Sequence, residues 1–207
     1  IAENIANCCP TEQALEIAER EASLERRPHV QAAWDNAIDE IKGFPDRGVL
    51  HLVEKVCDKD IDRQALLGSW ALSDLLIEPE TTLVGLNSTL RRAENVRQDP
   101  DSLIEQLDSI ANLLVDEVFR AEGEDISRFT NKYGNQIGFL KKLSPRIYQQ
   151  AQSLHSLREI ALGPHPKDSS GKLRTGVKPS DAESAKQIFA ALFEEVASFL
   201  RLKREMG

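Results

Sequence analysis

Apolar residues recur along this chain every three to four positions, the spacing of helices that bury one face. Ala14, Leu15, Ala18 and Ala22 follow Pro10-Thr11 and predict a helix ending before Pro28, because proline restricts the residue ahead of it. Trp34, Ala37, Ile38 and Ile41 predict a second helix over Val30–Lys42, stopped by Gly43. Shorter helices are expected over Val49–Cys57 and Ile61–Ile77, the latter carrying Leu66, Trp70, Leu72, Leu75 and Leu76. Leu83, Leu86 and Leu90 share one face of a helix over Thr82–Val96.

Gln98-Asp99-Pro100-Asp101 reads as a boundary, with proline in a first helical turn and acids beside the positive end of the dipole. It divides residues 1–98, an N-terminal helical region, from residues 99–207. Leu103, Leu107, Ile110, Leu114 and Val118 then form one apolar stripe, closed by Gly123. Ile126, Phe129, Tyr133, Ile137 and Leu140 form the next, in spite of Gly134 and Gly138, each costing about 1 kcal/mol in a helix interior. Ser144-Pro145 starts a helix with Ile147, Ala151, Leu154 and Leu157 or Ala161 inward, ended by Gly163-Pro164. Ser180 is read as the cap of a last helix burying Ala185, Ile188, Phe189, Leu192, Val196, Phe199 and Leu200. The expected fold is all-α. Residues 99–207 would form a four-helix up-down bundle, and the earlier helices would precede it or complete it.

Composition agrees with helix packing. Aromatic residues are 5% of the chain, so Leu, Ile, Val and Ala must supply the core, and alternating strand-like runs do not occur. With 41% apolar and 29% charged residues the chain is patterned for folding rather than disorder. A net charge of −8 argues against indiscriminate coating of nucleic acid, but leaves room for a local basic site. No run approaches the ~18 apolar residues that a bilayer-spanning helix needs. Ile1-Ala2-Glu3-Asn4 has neither a signal peptide nor an initiator Met and reads as a piece of a longer chain. Cys8, Cys9 and Cys57 have no framework spacing and no following ligands at metal spacing, so they read as reduced thiols of a cytoplasmic protein without a metal or cofactor.

One connection differs from the rest. Gly163–Pro179 is long and carries Lys167, Lys172, Arg174 and Lys178 against the single acid Asp168. Such a loop is either a solvated surface segment or a binding site for an anion such as phosphate. It is preceded by Arg158 and contains His165. Histidine can move a proton to or from a ribose hydroxyl near neutrality, and arginine offers a planar fork to a phosphate. The plainer alternative is that Arg158 complements its helix dipole and His165 is an exposed loop residue. His155, three residues before Arg158, is either a second site residue or a histidine packed in the bundle.

The segment Leu157-Arg158-Glu159-Ile160-Ala161-Leu162-Gly163-Pro164-His165 resembles the Arg-x(4–6)-His motif of HEPN-superfamily ribonucleases, here with six intervening residues. A closing amphipathic helix over Pro179–Leu202 matches that context. The arrangement over about residues 99–203 is similar to the C-terminal module of phage abortive-infection proteins. The resemblance implies a homodimer bringing two Arg–His pairs into one cleft and cleavage of RNA through a 2′,3′-cyclic phosphate, in a defence or toxin role. It makes His165 the acid–base group, Arg158 the phosphate stabiliser, and Lys167, Lys172, Arg174 and Lys178 the candidates for holding RNA. The residue after the arginine is commonly Asn, Asp or His in the family, and here it is Glu159.

Two other readings remain. One is a catalytically silent helical module that dimerises or binds a partner protein or a nucleotide-bearing ligand, an antitoxin being a partner for the toxin role instead. The other is a helical scaffold. His29 and His51 have no visible partner, Arg26-Arg27, Arg91-Arg92 and Glu194-Glu195 read as solvated faces, and no phosphate-binding glycine loop, nucleophile elbow or carboxylate pair occurs.

Overall fold

In the computed structural model, residues 11–24, 30, 48–129, 133–161 and 177–206 are described, and every regular element among them is helical. The chain forms two compact units, Ile1–Gly48 and Val49–Gly207. In the first, α1 is described over Thr11–Leu24 and buries Ala22; the expected stop before Pro28 lies outside the described residues. Cys8, Cys9, Arg26, Arg27, His29 and the Trp34–Ile41 stripe lie outside the described residues.

The second unit contains α2 (49–57), α3 (Arg63–Leu67), α4 (Leu72–Leu75), α5 (Pro79–Asn95) and α6 (Pro100–Ala121). A 3₁₀ turn (Ile126–Phe129), α7 (Tyr133–Leu143), α8 (Pro145–Ile160) and α9 (Pro179–Met206) follow. Proline in the first turn starts α5, α6 and α8, where its missing N–H leaves no bond unmade. Ser144 caps α8 by accepting a hydrogen bond from Ile147 N at 3.4 Å.

Three expectations change in detail. The helix expected over Ile61–Ile77 is two short helices, because Gly68 turns the chain at φ 63°. Only glycine takes that conformation without strain. The stripe from Ile126 to Leu140 is likewise divided between the 3₁₀ turn and α7, the turn being opened by Asp125 Oδ1, which accepts from Ser127 N. Ser180 is not the cap of the last helix. It lies inside the first turn, and Asp181 Oδ2 instead accepts from Lys178 N at 2.8 Å.

The centre is α6. Leu103, Ile104, Leu107, Ile110, Ala111, Leu114, Val115, Val118 and Phe119 are all buried on it. α5 and α9 pack along α6, α8 packs against α6, α7 and α9, and α9 also reaches α3 and α4. One continuous core runs from Val49 to Leu200, so α2–α5 share it with the helices after residue 99. Gln98–Asp101 is therefore a turn between two packed helices within one unit. Truncating a core residue such as Leu107 or Phe189 is expected to cost about 2–5 kcal/mol.

A buried carboxylate fixes α5 on α6. Glu117 is fully buried and accepts from Thr82 Oγ1 (2.7 Å), Ile77 N (2.6 Å) and Arg120 (2.7 Å). It thus satisfies a backbone donor at the start of α5 as well as an arginine. No helix among the described residues is long and apolar enough to cross a membrane.

Candidate functional site

Asp108, Asn112 and Asp116 recur every four residues on α6 and so lie on one face of the helix. On α8, His155, Arg158 and Glu159 are neighbours by the same geometry. The packing of α8 on α6 brings the two sets together. With Asn112, Asp116 and the three α8 residues, but not Asp108, the residues Tyr133, Gly134 and Gln136 of α7 and the 3₁₀ turn form the walls of a pocket of about 710 Å³.

Asp108 is buried at the junction. His155 Nδ1–H donates to its carboxylate at 3.2 and 3.3 Å, and Arg158 Nε sits 3.6 Å from the same group. The imidazole stands edge-on to Tyr133, with ring centres 5.2 Å apart and planes at 88°. The hydrogen bond to Asp108 holds the imidazolium form above its ordinary value of 6.5, outweighing burial, and the carboxylates of Asp108 and Glu159 add to it. Gly134 faces the other ring nitrogen: a Cβ there would be 4.0 Å from His155 Nε2. His155 is thus packed in the bundle and also lines the pocket.

Arg158 is at the mouth. Its side chain is 42% exposed, in the last turn of α8, with a guanidinium nitrogen 3.6 Å from Glu159 Oε1. Deeper in, Gln136 Nε2 donates to Asp116 Oδ1 at 3.0 Å. Burial raises the Asp116 carboxyl against the pull of Arg120 and this hydrogen bond. Asn112 Oδ1 and Tyr133 Oη are buried without a hydrogen-bond partner among the described residues. Burial, with Asp108 and Asp116 nearby, keeps the Tyr133 phenol protonated well above its ordinary range.

No family model, curated protein or solved structure matches this chain. The site therefore has to be read from its own chemistry. It offers a cationic guanidinium at the rim, a protonatable imidazole held by a carboxylate, and several acceptor oxygens inside. Among the described residues, no group of three or more His, Cys, Asp or Glu side chains could hold a metal ion.

Of the residues singled out in the sequence, Arg158 lies in the pocket wall and Lys178 does not. Lys178 is exposed, immediately before α9. His165, Lys167, Lys172 and Arg174 lie outside the described residues. Asp108, Asn112, Asp116, Tyr133 and Gln136 were not legible as site residues. The only sequence signal is a polar residue every fourth position on the strongest apolar helix, which looks the same as a solvated face.

Proposed function

We propose that this chain is a metal-independent endoribonuclease of HEPN type. Arg158 holds the scissile phosphate and His165 moves the protons. The ribose 2′-oxygen attacks phosphorus as the bond to the 5′-oxygen breaks. The 2′-hydroxyl proton goes to the base, and the leaving oxygen takes a proton, giving a 2′,3′-cyclic phosphate and a 5′-hydroxyl. Arg158 stabilises the charge that builds on the phosphate oxygens. Lys167, Lys172, Arg174 and Lys178 bind the RNA backbone. A homodimer joins two such sites, in a defence or toxin role.

The observation that carries this reading is the place of Arg158: half-exposed in the last turn of α8, at the mouth of a pocket that also contains the Asp108-held His155. The test is cleavage of total tRNA and mRNA in EDTA, with folded Arg158→Ala and His165→Ala variants beside the unaltered protein. Cyclic-phosphate ends that disappear in both variants support the reading. A well-folded dimer that cuts nothing overturns it.

One observation favours a second reading. Arg158 lies 3.6 Å from carboxylate oxygens of both Asp108 and Glu159, which offset its charge in place. A pocket so balanced suits a silent module that recognises a partner protein, and the same assay separates the two.

A further inference from the structure

RNA cleavage of this kind moves two protons, one from the 2′-hydroxyl and one to the departing 5′-oxygen. In an in-line displacement those two oxygens lie on opposite sides of phosphorus. A histidine at the 2′-hydroxyl end therefore leaves the other end in need of a donor within the same step. Among the described residues, His155 is the histidine that lines the pocket with Arg158. The two side chains have a common support: Asp108 Oδ2 is 3.2 Å from His155 Nδ1 and 3.6 Å from Arg158 Nε. A guanidinium suited to holding a phosphate and an imidazole suited to serving it are thus tied to one carboxylate oxygen, a turn apart on α8.

The two ring nitrogens differ in their surroundings. Nδ1–H is engaged by Asp108. Among the described residues Nε2 has no hydrogen-bond partner, and it is not one of the buried unpartnered atoms; the side chain is 17% exposed. Glu159 Oε1 stands 4.0 Å from Nε2, beyond bonding reach, and Gly134 puts no side chain over it. Asp108 from α6 and Glu159 on α8 favour the charged ring, Arg158 opposes it, and Tyr133 from α7 meets it edge-on. We infer that His155 is the general acid of this cleavage, giving its Nε2 proton to the departing 5′-oxygen, with Asp108 as its positioning residue. This deepens the ribonuclease reading and rests on it. The bond from the 2′-oxygen to phosphorus forms as the bond to the 5′-oxygen breaks. His165 takes the 2′-hydroxyl proton, and the 5′-oxygen takes the one from His155. The neutral ring that remains still donates Nδ1–H to Asp108, so the transfer needs no rearrangement.

The test uses the full chain in EDTA and two short RNAs spanning a mapped cut, one with sulfur in place of the bridging 5′-oxygen. A thiolate departs without a proton, so the sulfur RNA needs no acid. With ordinary RNA the rate should fall as pH rises through the folded value of His155, which lies above 6.5. With the sulfur RNA that fall should be absent. His155→Gln should slow cleavage of ordinary RNA by about 10²–10⁴-fold and leave the sulfur RNA nearly unaffected. Asp108→Asn should move the alkaline fall to lower pH, because the charged ring loses the partner that favours it. A purely structural His155 predicts equal slowing of both RNAs. That result, or an alkaline fall shared by both RNAs in the unaltered protein, would overturn the inference and leave the ribonuclease reading standing. The comparison in the unaltered protein decides the matter even where His155→Gln does not fold. A folded chain that cuts neither RNA overturns both.

Discussion

Asp108 on α6 holds His155 on α8 across 47 positions of sequence, its carboxylate 3.2 Å from the imidazole Nδ1. This bond favours the charged form of the histidine and ties together two helices that form the pocket.

Its first consequence is a dependence of stability on pH. The folded His155 titrates above its ordinary value of 6.5, so the pair stabilises the fold fully below pH 6.5. That contribution is lost as pH rises through the folded value. Urea unfolding across about pH 5–9 should show the decline. Asp108→Asn should flatten it and return the His155 titration, followed by NMR, toward 6.5. An unchanged slope in that variant would remove the pair from the account.

Glu117→Leu should be among the most damaging single changes. It leaves Ile77 N, the Thr82 hydroxyl and Arg120 without their shared acceptor inside the protein. The expected loss is about 3–5 kcal/mol in urea unfolding. Thr82→Val, which removes one hydroxyl from the same group, should cost about 1 kcal/mol. Similar losses from both would mean that Glu117 acts through packing alone.

Gly68→Ala tests the break between α3 and α4. The added Cβ would meet Arg201 at 3.9 Å, an ordinary contact, so space is not the obstacle. The backbone at φ 63° and ψ −126° is the obstacle. A loss of about 1–3 kcal/mol in thermal or urea unfolding is expected.

Cys57 should be inert in the folded protein. Burial pushes its thiol up to about 12, against the pull of Lys186 and Lys59. The nucleophilic thiolate is therefore scarce at neutral pH. In an assay with a disulfide reagent, Cys57→Ala should leave the thiol reactivity of the folded protein unchanged. It should remove one thiol from the total counted after unfolding.

The helical class and most helix positions were legible because local rules decide them. Pro100 and Pro145 fix starts, and the stripe from Leu103 to Val118 fixes an inward face, whereas α5 begins at Pro79, three residues before the Thr82 expected. The break at Gly68 was not legible, since a lone glycine within an apolar pattern is compatible with a continuous helix. Nor was the membership of α2–α5 in the central core, which depends on which surface α6 presents to α5. Arg158 was singled out through the short segment around it. Its partner Asp108 was not, because their meeting depends on how α8 crosses α6 and not on any local spacing.

The long final helix has a consequence for how the protein is made. Its 28 residues span ~42 Å. Arg201 donates to Ala65 O at 2.8 Å across 136 positions, and Lys186 reaches Asp58 across 128. Helices α2–α4 precede α9 by more than a hundred residues, so the part of their surface that α9 covers stays open until that helix is made. Closing it needs contacts of long sequence separation, which form slowly and leave apolar surface exposed in the meantime.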